Sequence, residues 1–368
     1  MKIIFNTDQI YLHGGIEKVT ATKVNYWASL KGAEVYIVTT EQKGNQPCYT
    51  IDSRVKLIDL GIDYKRDKSY FSKENIKKAR IHFKEQKKIF NKLQPDVIIS
   101  PNFNFDHYWL PFIKGKAKLI KERHSSRYLE PNQRQQASFL GKLKFKLTDW
   151  IESKYEHIVV LNKDEAMYVQ TNNAVVIPNP IDPTNLQAHL NNKQVMAAGR
   201  ISPVKGFDQL IEAWKTVHQK APDWTLHIYG DNYGSTQQEL EALILHYQLQ
   251  DVIQFKGAVD HIPEIMTNYN IYALTSVTEC FPTVLLEALN VGLPIVSYDC
   301  PHGPRNIIIE GENGLLVQDQ NTKHFAEQLL MLIKNPHKQK EFGKHAKHRI
   351  IKFSTENVMK KWNNLLNL

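Results

Sequence analysis

Glu279-Cys280-Phe281-Pro282-Thr283-Val284-Leu285-Leu286-Glu287 lies between two apolar runs, Ile271–Leu274 and Pro294–Tyr298. Strand, loop, helix and strand in that order is the repeating unit of a parallel sheet. Pro282 suits the first turn of a helix, where a missing N–H costs nothing. Gly292 and Pro294 then end that helix. Glu279 therefore falls in the loop at a strand's C-terminal end, and Glu287 on the helix that follows. The free N–H groups of Thr283 and Val284 would form an anion site suited to a diphosphate. A carboxylate just before the helix can accept hydrogen bonds from sugar hydroxyls. A second one further along can take both hydroxyls of a ribose. The plainer reading is a buried helix whose two glutamates merely cap or pair. Glu287, however, is flanked by Leu285, Leu286, Ala288 and Leu289, and a carboxylate in such surroundings needs a partner.

The same unit repeats outward from this segment. Lys2–Asn6, Val35–Thr39, Val97–Ser100, Lys118–Lys121 and His157–Leu161 read as strands in the first half of the chain. Gln194–Ala198, Thr225–Tyr229, Val252–Phe255, Ile271–Leu274 and Pro294–Tyr298 do so in the second. Several are nearly continuous in Val, Ile and Leu, as strands buried on both faces of a parallel sheet are. Alternation with helices over this length predicts doubly wound α/β architecture. It is interrupted at Ile177-Pro178-Asn179-Pro180-Ile181-Asp182-Pro183, where the prolines can continue neither sheet nor helix. The expected organisation is a first Rossmann-like domain over 1–177, a linker over 178–190 and a second domain over 191–354. A last amphipathic helix within 355–368, with Val358, Trp362 and Leu365 on one face, could pack back on the first domain.

Bulk properties agree with that picture. The chain has 368 residues, enough for two domains, and 42 % hydrophobic with 23 % charged residues supports ordinary cores. Cys48, Cys280 and Cys300 match no zinc spacing and read as reduced thiols. Met1-Lys2-Ile3-Ile4-Phe5 begins a strand rather than a signal peptide, and no run of about 18 apolar residues occurs, so a cytoplasmic protein, soluble or peripherally attached, is expected. A net charge of +9 suits anionic partners without choosing among them. Nucleic acid is not expected, because the basic residues are scattered and no stacking platform is visible.

Taken in order, several segments resemble retaining glycosyltransferases of the GT-B fold, family 4, also called glycosyltransferase group 1. Glu279–Glu287 is similar to that family's E-x7-E signature. Gly14-Gly15 after the first strand, Gly199-Arg200-Ile201-Ser202-Pro203-Val204-Lys205-Gly206, Cys300-Pro301-His302-Gly303-Pro304-Arg305 and Gly311–Val317 extend the resemblance over nearly the whole chain. It implies two Rossmann-like domains facing across a cleft, a nucleotide-sugar donor held mainly on the second, and an acceptor on the first. In such enzymes the residues matching Arg200 and Lys205 hold the donor phosphates. Two cations there would also stabilise the departing diphosphate. The Gly14-Gly15 turn would lie against the phosphate and the transferred sugar. His124, after the strand ending at Lys121, would contact the sugar or acceptor side, with Arg123 a second candidate. By position, Gly230 and Val259 could border the nucleobase. The Cys300–Arg305 segment favours UDP over GDP.

The expected donor set is thus Gly14, Gly15, Arg200, Lys205, Gly230, Val259, Glu279, Phe281, Pro282, Thr283, Val284 and Glu287. The expected catalytic set is Glu279, His124, Arg200 and Lys205. No Asp-x-Asp or His/Cys cluster stands out, so no metal or other cofactor is expected. The resemblance further implies retention of anomeric configuration and an acceptor that is a glycan or lipid-linked saccharide in surface polysaccharide assembly. Two basic amphipathic stretches bear on membrane contact. Lys73–Leu93 carries Ile76, Phe83 and Phe90. Gln133–Tyr155 carries Leu140, Leu143, Leu147 and Ile151 with Lys142, Lys144 and Lys146. Each reads either as a helix packed on its own sheet or as a face for anionic lipid. A sugar-nucleotide epimerase and a non-catalytic nucleotide- or glycan-binding partner protein are the alternatives.

Overall fold

In the computed structural model, which describes residues 1–368, the chain divides into two units: Met1–Pro180 with Thr355–Leu368, and Ile181–Ser354. The division falls inside the proline-rich stretch.

The first unit holds a parallel sheet of seven strands: β1 (Lys2–Thr7), β2 (Glu34–Thr39), β3 (Lys56–Asp59), β4 (Val97–Ser100), β5 (Lys118–Arg123), β6 (His157–Val160) and β7 (Ala174–Val176). Their spatial order is β3-β2-β1-β4-β5-β6-β7. Helices α1 (Gly15–Ser29), α2 (Lys73–Leu93), α3 (Leu110–Ile113), α4 (Glu130–Gln136), α5 (Phe139–Glu152) and α6 (Lys163–Ala166) connect them. Alternating residues of β1 feed opposite layers. Ile3 and Phe5 join Val24 and Trp27 of α1, whereas Ile4 joins Phe90 of α2 and Ile151 of α5. Both faces are covered, which is why these strands read as continuous apolar runs.

The second unit holds β8 (Gln194–Ala198), β9 (Thr225–Tyr229), β10 (Ile253–Gly257), β11 (Ile271–Leu274), β12 (Ile295–Tyr298) and β13 (Gly314–Val317), ordered β10-β9-β8-β11-β12-β13 and all parallel. Its helices are α7 (Phe207–Lys220), α8 (Thr236–His246), α9 (Ile262–Met266), α10 (Thr283–Asn290), α11 (Thr322–Ile333) and α12 (Pro336–Arg349). The chain then returns to the first unit as α13 (Thr355–Leu366). Trp362 of α13 meets Trp27 edge-on at 5.8 Å, and Trp27 Nε1 donates to Asn363 Oδ1 at 3.0 Å. The buried face of α13 comprises Val358, Met359, Trp362 and Leu366, with Leu365 only partly covered.

Three strands escape a search for apolar runs. β3 (Lys-Leu-Ile-Asp) is an edge strand that is mostly exposed, so its sequence is mixed. β7 is an edge strand of three residues. β13 is short and opens on a glycine. The basic stretch after Gln133 is two helices rather than one. Ser138 interrupts it and accepts the N–H of Gly141 at 3.3 Å, capping α5.

Both sheets reverse strand order once. In the second unit the reversal falls between β8 and β11, and in the first between β1 and β4. Ligands of open α/β sheets bind beyond the C-terminal ends of the strands at such a point.

Candidate functional site

The loop after β8 carries Gly199–Gly206, and the loop after β11 carries Thr275–Pro282. These are the two loops at the reversal in the second unit. They meet through side chains: Lys205 Nζ lies 2.6 Å from Glu279 Oε1, and Ser276 Oγ donates to the same oxygen at 2.8 Å. The pair is half-open, with the lysine 23 % and the glutamate 14 % exposed. Both bonds use Oε1.

The backbone fixes this meeting. Gly206 has φ +60°, and a Cβ there would stand 2.2 Å from the Thr275 carbonyl oxygen, so only glycine lets the first loop press against the second. Thr275 Oγ1 donates to the Lys205 carbonyl at 3.3 Å. Glu279 is held by strand-like bonds: its N–H donates to Pro301 O at 3.1 Å, and its carbonyl accepts from His302 and Gly303 at 2.8 Å each. The end of β8 is pinned by Tyr272, whose hydroxyl accepts from Ala198 N at 3.1 Å and donates to Ala198 O at 2.9 Å. Burial, with Glu287 and Glu279 nearby, holds that hydroxyl's pKa far above its ordinary value.

α10 starts directly after this loop. Pro282 is its cap, in extended conformation (φ −67°, ψ 109°), rather than a residue of its first turn. A cap also needs no N–H, so the exchange costs nothing. Thr283 and Val284 are then the first helical residues, half-buried, with N–H groups that no intrahelical carbonyl can take. Glu287 is buried in the second turn. Phe281 is buried against Phe353 at 5.6 Å, so its ring belongs to the core and only its backbone borders the loop.

The neighbouring strand ends complete this edge. Gly230 follows β9 with φ +148°, and a Cβ there would fall 1.9 Å from the Gly199 carbonyl oxygen. Its N–H donates to Gly257 O at 2.9 Å, and Gly199 N–H donates to Tyr229 O at 2.9 Å. Val259 follows β10 with an exposed side chain. Arg200 is exposed and stands over the Tyr233 ring at 5.6 Å, separate from the Lys205–Glu279 contact. Arg305 is committed to Asp299 by two bonds of 2.8 and 2.7 Å.

His124, Gly14 and Gly15 belong to the first unit. Gly14 caps α1 in extended conformation, and a Cβ there would collide with Glu17 Oε2 at 2.3 Å. His124 follows β5, and its Nε2 lies 2.9 Å from Glu122 Oε2. The other oxygen of Glu122 meets Lys23 Nζ at 2.5 Å, and all three side chains are almost fully buried. Burial would raise the Glu122 carboxyl, but Lys23 and His124 outweigh it and hold it at about 2. Burial lowers the Lys23 ammonium, against the pull of Glu122. Arg123 is buried and tied to Glu152 inside the fold. No three His, Cys, Asp or Glu side chains gather as a metal ion would require.

Sequence reasoning missed Ser276, Tyr272, Lys23 and Glu122. A serine three residues before Glu279 and an acid two before His124 are visible signals. Tyr272 and Lys23 act through tertiary contacts that no spacing reveals.

Comparison with known proteins bears on this site directly. Residues 180–349 match the family described as "Glycosyl transferases group 1". An uncharacterized glycosyltransferase of Haemophilus influenzae is 28 % identical over 99 % of both chains. The amylovoran biosynthesis glycosyltransferase AmsD of Erwinia amylovora is 32 % identical over 58 % of this chain and 62 % of its own length. A crystal structure of an S. aureus TarM mutant in complex with fondaparinux, α-GlcNAc-glycerol and UDP superposes with a TM-score of 0.79 over 100 % of both chains, at 18 % identity. The architecture is therefore GT-B. Through residues 180–349, the stretch that carries Lys205, Glu279 and Glu287, the chain is similar to the glycosyl transferases of group 1.

Proposed function

We propose that this glycosyltransferase moves a hexose or N-acetylhexosamine from a UDP-sugar to a glycan or lipid-linked saccharide in surface polysaccharide assembly, with retention of configuration. The observation that carries the reading is the Lys205–Glu279 contact at the strand-order reversal, beside the open N–H groups of α10. In this reading the diphosphate lies at the α10 N-terminus and draws on Lys205. Arg200, exposed nearby in the chain, swings from Tyr233 to join it. Glu287 takes the ribose hydroxyls, and Glu279 accepts from hydroxyls of the transferred sugar through Oε2. The strand ends at Gly230 and Val259 border the base. The UDP in the TarM complex and the pathway in the name of AmsD support the donor and acceptor classes.

In the transfer step, the bond between the anomeric carbon and the diphosphate oxygen breaks. The acceptor oxygen forms its bond on the same face, and its proton passes to the leaving diphosphate. Lys205, Arg200 and the helix N–H groups supply positive environment as charge develops there, and we propose that no metal is needed. His124, with the Gly14–Gly15 turn, is assigned to the acceptor and sugar side. Glu122 accepts from its Nε2–H and leaves Nδ1 as the working nitrogen. The test is incubation with UDP-sugars and saccharide acceptors in the presence of a chelator. UDP release that depends on acceptor, with an unchanged anomeric centre by NMR, is expected. Inversion, or turnover restored only by added divalent metal, contradicts the corresponding part.

A further inference from the structure

α5 is amphipathic the wrong way round for a helix on a protein surface. Its inner face is Thr148, Ile151 and Glu152, all buried. Its outer face carries Phe139, Leu140, Leu143, Leu147 and Trp150, with Phe139 82 % and Leu140 73 % exposed and the other three about half exposed. Surface helices normally turn such residues inward. The spacing of Leu140, Leu143, Leu147 and Ile151 fits either a stripe packed on the sheet or a lipid face, and only Ile151 reaches the core. The reason is electrostatic. Glu152 is bound by Arg123 and Arg127, and Asp149 by Arg134. These contacts fix the rotation of the helix and leave its leucines outside. Phe112, at the end of α3, extends the apolar area by lying 5.8 Å from Trp150, and Lys154 stands over that same indole at 5.3 Å.

Lysines border the stripe. Lys142 and Lys146 lie one turn apart on one side and Lys144 on the other, all exposed. Like charges one turn apart destabilise a helix. The acids that could relieve them are already committed: Glu130 and Asp149 to Arg134, Glu152 to Arg123, and Glu156 to Lys114. The face thus combines leucines, the three aromatic rings of Phe139, Trp150 and Phe112, and unneutralised cations. Protein interfaces are depleted of lysine relative to the rest of the surface. A lipid surface wants this combination, with acyl chains under the leucines, aromatic rings at headgroup depth and lysines on anionic headgroups.

We infer that the outer face of α5, with Phe112, docks the enzyme on an anionic phospholipid surface. No helix is long and apolar enough to cross a membrane, so the contact is peripheral. The inference does not depend on the donor or acceptor, and its failure would leave the sugar-transfer reading untouched. The test uses the full chain with vesicles of phosphatidylcholine, alone or mixed with phosphatidylglycerol. Co-sedimentation with the mixed vesicles only, reversed by salt, is expected. The variant Lys142→Gln/Lys144→Gln/Lys146→Gln should bind about a hundredfold more weakly, roughly fivefold for each cation. Leu140→Ser/Leu143→Ser/Leu147→Ser should lose binding while melting like the parent. No binding to any vesicle, or binding by both variants as tight as the parent's, overturns the inference. So does a concentration-dependent dimer that the serine variant dissolves, which would assign the face to a second copy of the chain.

Discussion

Lys205→Ala separates a structural cation from a ligand-binding one. In the protein Lys205 is engaged with Glu279 at 2.6 Å, and the two side chains are 23 % and 14 % exposed. A half-open ion pair of this kind contributes at most ~1 kcal/mol to stability. Its loss should lower the melting temperature by only about 2–4 °C. The effect on a diphosphate should be larger, because a charge-assisted hydrogen bond is worth ~1.5–3 kcal/mol. That corresponds to about a 10- to 150-fold rise in Kd. Titration calorimetry with UDP, parent against variant and without divalent metal, reads the difference. Glu279→Gln is the control, since it removes the competitor for the ammonium. It should bind UDP at least as tightly as the parent yet transfer sugar poorly. If Lys205→Ala binds UDP like the parent, the pair is only a structural contact and the reasoning fails.

Glu287→Ala should weaken nucleotide binding by about tenfold or more, whereas Glu279→Ala should lower turnover more than nucleotide affinity. Wild-type activity in both would remove these residues from the site. Trp362→Ala should cost about 3–5 kcal/mol, read by denaturant unfolding, because Trp362 is fully buried against Trp27. An unchanged midpoint would detach α13 from the first core. Burial lowers the His227 imidazole from 6.5 to about 4. The unfolded chain takes up this proton from pH 6.5 downward and the folded chain only near 4, so stability present above 6.5 should decline across that window. His227→Gln should flatten the decline, and an unaltered slope of melting temperature against pH would show that His227 does not drive it.

The sequence reveals most where burial leaves a compositional trace. β1, β4 and β11 are covered on both faces, so their Val, Ile and Leu runs are visible without coordinates. β3 and β7 lie at sheet edges and carry no such trace. Glu279 and Lys205 stand out in the sequence as charged loop residues at strand ends, and Glu287 as a carboxylate on an otherwise apolar helix, positions where packing does not require a charge. Arg200 reads as equivalent to Lys205 in the sequence, but only Lys205 reaches Glu279, whereas Arg200 stands over Tyr233. For α5 the sequence leaves both a packed stripe and a lipid face open. Its spacing is that of any core helix, and only the buried contacts of Glu152 and Asp149 decide which side faces inward.

The central claim is that the second unit holds a nucleotide sugar by its diphosphate and nucleoside. A thermal-shift panel of UDP, GDP, ADP and their sugar conjugates, without metal, tests it most directly. A ligand that binds only the folded state at about 100 times its Kd adds ~2.7 kcal/mol, a shift of several degrees. The rise is predicted for UDP and UDP-sugars, smaller or absent for the others, and cut to about half or less in Glu287→Ala. An unmoved melting temperature with every nucleotide would contradict it.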